Sequence, residues 1–165
     1  MRAAELAERL RARHPDVVIA REEVTLVVGR DELIETLGRL RDDEELGFDF
    51  LSSVTATDWP GRDPRLWIAY ELYATGHRHR LRVKVGLSDG DARVPSVTPL
   101  FPTADWHERE TFDFYGVEFT GHPDLRRILM PEGWEGGPLR KDEELGGVNT
   151  AYHGAFIPPV DRRTP

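Results

Sequence analysis

Residues 78–87 read RHRLRVKVGL, and their alternation decides the fold class. Leu81, Val83, Val85 and Leu87 fall on one side of an extended chain, while Arg78, Arg80, Arg82 and Lys84 fall on the other. That two-residue period belongs to a strand buried on one face only. A single wet face points to an antiparallel sheet, because parallel sheets are covered on both sides. Solvation or cross-strand pairing accounts for the four cations, and docking on an acidic partner is the sharper alternative.

Upstream, Phe48 to Thr57 is rich in β-branched and aromatic residues and reads as a strand. The Trp59-Pro60-Gly61 turn with Asp63-Pro64 separates it from a strand at Leu66 to Tyr73, and Thr75-Gly76-His77 makes the next turn. Nearer the N-terminus, Ala3, Leu6, Ala7 and Leu10 recur at helical spacing, with Glu5 and Arg9 four apart in the favourable order. Pro15 ends that helix. Val17 to Ala20 reads as a strand, and Val24, Leu26 and Val28 mark a second. Asp31 is a candidate N-cap for a helix that puts Leu33, Ile34, Leu37 and Leu40 on one face and stops at Gly47. Beyond the Ser88–Asp91 loop, Pro95, Pro99 and Pro102 punctuate the chain and the strand signals stop. Residues 1–102 therefore read as an α+β domain, a mainly antiparallel β-sheet covered by helices on one face.

Composition narrows the function. A net charge of −8 and a pI near 5.3 argue against nucleic-acid binding, which needs a clustered basic excess. The absence of cysteine excludes disulfides, thiol nucleophiles, and Cys-ligated zinc or iron–sulfur clusters on this chain. Glu5 and Glu8 spoil a transit-peptide reading of the Arg-rich first residues, and no apolar run approaches the roughly 18 residues of a membrane span.

Residues 104–142, ADWHERETFDFYGVEFTGHPDLRRILMPEGWEGGPLRKD, hold the densest gathering of acids, arginines, histidines and tryptophans. Thr103 can cap a helix that Gly116 ends, with His107, Glu110 and Asp113 near one face. His-x-x-Glu is not a metal motif with a mechanical rationale, and no nucleophile with an adjoining base or phosphate-binding glycine loop accompanies the acids. The plainer reading is that Glu110 and Asp113 accept hydrogen bonds from Arg109, Arg126 or Arg127 and fix the following loop. Asp124 to Met130 reads as a two-turn helix stopped by Pro131, with one of its adjacent arginines left for a partner. Trp134, Arg140 and Lys141 lie on a Gly/Pro loop, the kind of backbone that carries interface anchors. Residues 143–165 read as an extended tail.

Three pieces of this stretch, ERETFDFYG at 108–116, GHPDLRRIL at 121–129 and PLRKD at 138–142, closely resemble the signature of the C subunit of the proton-pumping NADH:quinone oxidoreductases, respiratory complex I. The resemblance extends upstream through GFDFLSSVTATDWP and covers roughly residues 46–142. Gly137 stands where the family usually has a second histidine, and Glu143-Glu144 replaces an aromatic and a proline after Asp142.

What the resemblance implies is a non-catalytic structural and assembly subunit of the peripheral, hydrophilic arm. It would dock on the D and B subunits and support electron transfer from NADH to quinone coupled to proton translocation. FMN, iron–sulfur clusters and quinone would belong to partner subunits, with no cofactor, metal or catalytic residue here. The chain would sit peripherally at the cytoplasmic face of a bacterial plasma membrane, held there by the complex. Residues 103–142 would form a segment packed on both the domain and a partner, and 143–165 a wrapping tail. The expected interface is Arg109, Glu110, Asp113, His122, Asp124, Arg126, Arg127, Trp134, Arg140, Lys141 and Asp142. The alternatives are the corresponding subunit of a membrane-bound hydrogenase-type complex, or a stand-alone metal-dependent hydrolase built on His107, Glu110, Asp113 and His122.

Overall fold

A computed structural model of the chain describes residues 2–14, 16–131 and 133–143. Helix α1 (Ala3–Arg11) buries Leu6, Ala7 and Leu10, the face its spacing marks. Strands β1 (Val18–Ala20) and β2 (Glu23–Val27) form a hairpin whose turn residues, Arg21 and Glu22, both have positive φ. A 3-10 turn at Arg30–Glu32 leads into α2 (Leu33–Asp42). Then β3 (Phe50–Asp58), β4 (Leu66–Ala74) and β5 (His79–Leu87) run as an antiparallel meander.

The five strands lie in the order β1-β2-β5-β4-β3. Every pairing is antiparallel except β2 with β5, which is parallel. A parallel pair needs a long crossover, and the excursion through α2, β3 and β4 supplies it. Alternation in β5 is as expected: Leu81, Val83, Val85 and Leu87 are buried, while Arg80, Arg82 and Lys84 face outward. Arg78 instead sits in the preceding turn at φ 53°. The inner face merges with α1, α2 and the following helix into one apolar cluster.

Several sequence expectations are corrected. Asp31 does not cap α2, which has no side-chain cap; Gly29 precedes the 3-10 turn that starts it. The buried face of α2 is Leu33, Thr36, Leu37 and Leu40, with Ile34 at the surface. Gly47 lies beyond the end of α2 and closes a turn, its N–H donating to the Asp43 carbonyl. Strand structure does not stop at Asp91. β6 (Arg93–Pro95) pairs in parallel with β7 (Glu118–Thr120), and α3 (Ala104–Tyr115) lies between them. Both strands are three residues long, too short to leave a periodic signal.

Thr103 does not cap α3 either; its hydroxyl donates to the Leu51 carbonyl and so fastens the helix start to β3. Gly116 ends α3 in the left-handed region at φ 69°, as expected. The two-turn helix after Asp124 does not form. Three of its backbone N–H groups, those of Ile128, Leu129 and Met130, donate instead to the buried Asp113 carboxylate. An anionic acceptor outcompetes the carbonyls of a helix only two turns long. The expected tail beyond Glu143 lies outside the described residues.

Gly86 in β5 is held by its neighbour. A Cβ there would lie 2.5 Å from Cγ of Pro64, in the turn between β3 and β4. Gly86→Ala is expected to cost about 1–3 kcal/mol through forced displacement of that ring. Thermal or urea unfolding of the variant measures it.

Candidate docking site

Helix α3 turns an unusual face to the sheet, with Glu108, Thr111 and Asp113 buried beside Ala104. Thr111 donates to the Val54 carbonyl at 3.2 Å. Each carboxylate has its own set of donors, which is what makes burial tolerable.

Asp113 anchors the loop that follows. Its Oδ1 accepts from Arg127 Nη1 at 2.8 Å, and its Oδ2 takes the N–H groups of Ile128, Leu129 and Met130 at 3.0, 2.7 and 3.0 Å. Arg127 also donates to the Asp113 carbonyl and to the Gly136 carbonyl, and its guanidinium lies over the Phe112 ring. Burial pushes the Asp113 carboxyl up, but the Met130 N–H, the Arg127 guanidinium and the Leu129 and Ile128 N–H groups together hold it below its ordinary value. The carboxylate is therefore ionised throughout the physiological range.

Glu108 has less support. Ser96 Oγ donates to its Oε2 at 2.6 Å and the Val97 N–H to its Oε1 at 2.7 Å. Burial outweighs these bonds and pushes its carboxyl up to about 7. His122, its side chain fully buried, stands beside it with Nε2 4.0 Å from Glu108 Oε2 and 3.3 Å from Asp105 Oδ1. Nδ1 of His122 accepts the Asp124 N–H at 3.0 Å, so Nε2 is the donor, and it donates to the Asp105 backbone carbonyl at 3.2 Å.

A second cluster pins PLRKD to the end of the sheet. Arg65 grips Asp58 through two bonds, Nε to Oδ1 at 2.7 Å and Nη2 to Oδ2 at 3.0 Å. It also reaches Asp89 at 2.9 Å and Asp142 at 2.8 Å. Asp89 pairs in turn with Arg140, the Lys141 N–H donates to Asp58 at 2.7 Å, and the Leu139 N–H donates to the Phe114 carbonyl at 3.1 Å. Hydrogen bonds from Arg65 hold the Asp58 and Asp142 carboxyls below their ordinary values.

The expected interface residues thus divide. Asp113 and His122 lie beneath the surface and shape the loop, Arg127 is mostly covered, and Arg140 and Asp142 join the Arg65 network. Arg109 stacks over the exposed Trp106 ring at 4.9 Å and donates to the Arg126 carbonyl. Arg126 forms two bonds with Asp124, both at 2.6 Å, so neither adjacent arginine lacks an acid. Glu110 and Lys141 are exposed and Trp134 is half-buried. Glu110 does not join Asp113 in holding the loop. His107, Glu110, Asp113 and His122 do not converge, and no group of three or more candidate metal ligands occurs among the described residues.

Asp58, Arg65, Asp89 and Glu108 escape a reading of the sequence. The register opposing Asp58 to Leu66 is what places Arg65 beside Asp58 across the hairpin, and only pairing reveals it. The sole signal is the run TDWPGRDPR, whose charges read as turn residues.

Against known proteins, residues 26–149 match the family model described as respiratory-chain NADH dehydrogenase, 30 Kd subunit. The chain belongs to this family. It is 49% identical over 148 residues to the NADH-quinone oxidoreductase C subunit of Mycolicibacterium gilvum, covering 89% of this chain and 66% of that one. The proteins of the same name from a Nocardioides species and from Mycobacterium tuberculosis are 46% and 47% identical, with 90% and 89% of this chain and 60% and 63% of theirs aligned. The chain thus spans less than two thirds of the length of these relatives. Among solved structures, a trypsin-resistant fragment of Nqo5 superposes with a TM-score of 0.64 at 29% identity, over 76% of this chain and all of that one. A component of an archaeal membrane-bound sulfane sulfur reductase shares the fold at TM-score 0.67 and 24% identity, over 86% and 85% of the two chains. The family read from the signature is therefore the family found.

Two acids of the family segment give opposite expectations. Asp113→Ala leaves Arg127 and three amides without their acceptor and is expected to cost about 3–5 kcal/mol, read by denaturant unfolding. Glu108 behaves otherwise because its folded pKa lies above its unfolded one. Between about 4.5 and 7 the folded state keeps a proton that the unfolded state has released. Stability therefore falls as pH rises through that window and levels off above it. Glu108→Gln removes the slope, so the variant should gain on the native chain by up to about 3 kcal/mol between pH 4.5 and 7, measured by unfolding at each pH.

Proposed function

We propose that the chain is a non-catalytic structural and assembly subunit of the peripheral arm of a proton-translocating NADH:quinone oxidoreductase. In this reading it docks on the quinone-reducing module formed by the D and B subunits. Flavin, iron–sulfur clusters and quinone reside on those and other partner subunits. The protein then sits peripherally at the cytoplasmic face of the membrane; no helix among the described residues is long and apolar enough to cross one.

One observation carries the reading. In the run that the family shares, the buried acids are taken up in holding loops, while Arg109, Glu110, Asp124, Arg126 and Lys141 remain at or near the surface. Such a segment is built to be presented. A catalytic acid needs an approach for substrate, whereas Asp113 is enclosed by four donors from its own chain. Trp106, with 62% of its surface exposed beneath the Arg109 guanidinium, adds an aromatic–arginine pair of the type that dominates binding energy at interfaces. The relatives, named as C subunits of NADH-quinone oxidoreductases, favour this complex over a hydrogenase-type one, for which the same surface would serve a different neighbour.

Tagging the chain in its native cells and identifying the copurifying subunits tests the assignment. The expected neighbours are those of an NADH:quinone oxidoreductase. Arg109→Glu should weaken assembly by about 30-fold or more, the equivalent of a 2 kcal/mol hot spot, while the isolated chain stays folded. Recovery with a hydrogenase core, or full assembly with quinone reduction lost, would overturn the assignment.

A further inference from the structure

Helices α1 and α3 both pack against the inner side of the sheet, and among the described residues no helix covers its outer side. That open face is patterned. Lys84 Nζ lies 4.9 Å from the centre of the Trp67 ring, the Arg80 guanidinium 5.8 Å from Tyr73, and the Arg62 guanidinium 4.8 Å from Trp59. Arg82, between them, is neutralised by Glu71 and Glu23. Arg62, Arg80 and Lys84 have no carboxylate within ion-pair distance among the described residues. In a chain with 30 acidic and 22 basic residues, cations left without an acid on one face are a local reversal of sign.

Stacking on a ring orders a cation without cancelling its charge. Each ammonium or guanidinium is thus held in place and still able to take a carboxylate, with an apolar ring alongside it. We propose that the outer face of the sheet is a second docking surface, across the sheet from α3, for an acidic protein surface whose carboxylates seat on Arg80, Lys84 and Arg62.

Size supports a protein partner. Strands β3, β4 and β5 have nine residues each. At about 3.3 Å per residue and about 4.8 Å between strands, five strands present a patch of about 600 Å², close to the roughly 800 Å² per partner of a stable interface. A polyanion fits poorly. Glu71 and Glu23 lie within the patch, and the net charge of −8 repels nucleic acid or an anionic bilayer at a distance.

The chain has two lysines, Lys84 on this face and Lys141 on the signature segment, so one footprint reads both surfaces. The detergent-extracted native assembly and the isolated chain are each treated with an amine-acetylating reagent, and modification at each lysine is quantified by mass spectrometry. The proposal expects Lys84 to react at least tenfold more slowly in the assembly. A carbodiimide, which joins an amine to a carboxylate in contact, should then link Lys84 to an Asp or Glu of a different subunit. Arg80→Glu/Lys84→Glu should abolish that link and lower recovery of the linked subunit, with the melting temperature of the isolated chain nearly unchanged. Equal acetylation of Lys84 in both samples overturns the proposal, as does a link from Lys84 to this chain or to a second copy of it. Protection of Lys141 alone would leave the assembly role standing and defeat only this surface; protection of neither would count against both.

Discussion

A carboxylate without solvent exposure, Asp113, organises the C-terminal third of the described chain. Four donors converge on it, one guanidinium and three successive amides, and together they bind the following loop to the end of α3. Burial alone would neutralise such a group; the donors reverse that tendency and keep it charged. The ionised carboxylate then replaces a helix as the means by which residues 128–130 satisfy their backbone. The loop takes its shape from one side chain, so its surface arginines stand on a fixed base.

The Arg65 network does similar work at the other end of the segment. Asp58 and Arg65 are brought together by the β3–β4 register, and their pairing leaves further donors and acceptors pointing outward. Asp89, Arg140, Asp142 and the Lys141 amide all close on that pair. Exposure screens the outer members, so their worth lies in orientation more than in stability. Asp58 and Arg65 are largely covered, and losing either would strand the other. The chain after α3 is thereby held at two places, to α3 by Asp113 and to the sheet by the Arg65 network, and both ties are ionic.

Much of this was legible from side-chain order. The two-residue period of β5, the helical spacing of α1 and the glycine ending α3 all mark local geometry, and each is realised. Both misreadings at helix starts have one cause. Thr103 and Asp31 have capping chemistry, but Thr103 reaches a strand carbonyl and a 3-10 turn takes over at Arg30. Propensity names an available bond, and tertiary contacts decide which is made. Ser96 and Glu108 illustrate the limit further: nothing in a stretch of serine and proline announces a buried acceptor on a helix that folds back beside it.

By itself, the sequence determined the α+β class, the inward and outward faces of β5, and, through its ordered signature, the family. These are properties of neighbouring residues or of a long unbroken order of them. Only the tertiary structure decided the parallel seam between β2 and β5, the β6–β7 pair, the loop wound on Asp113, and which cations have acids beside them. Each of those depends on groups far apart in the chain meeting in space. The physical reason is that hydrogen bonds and ion pairs act over a few ångströms, whatever the distance along the backbone.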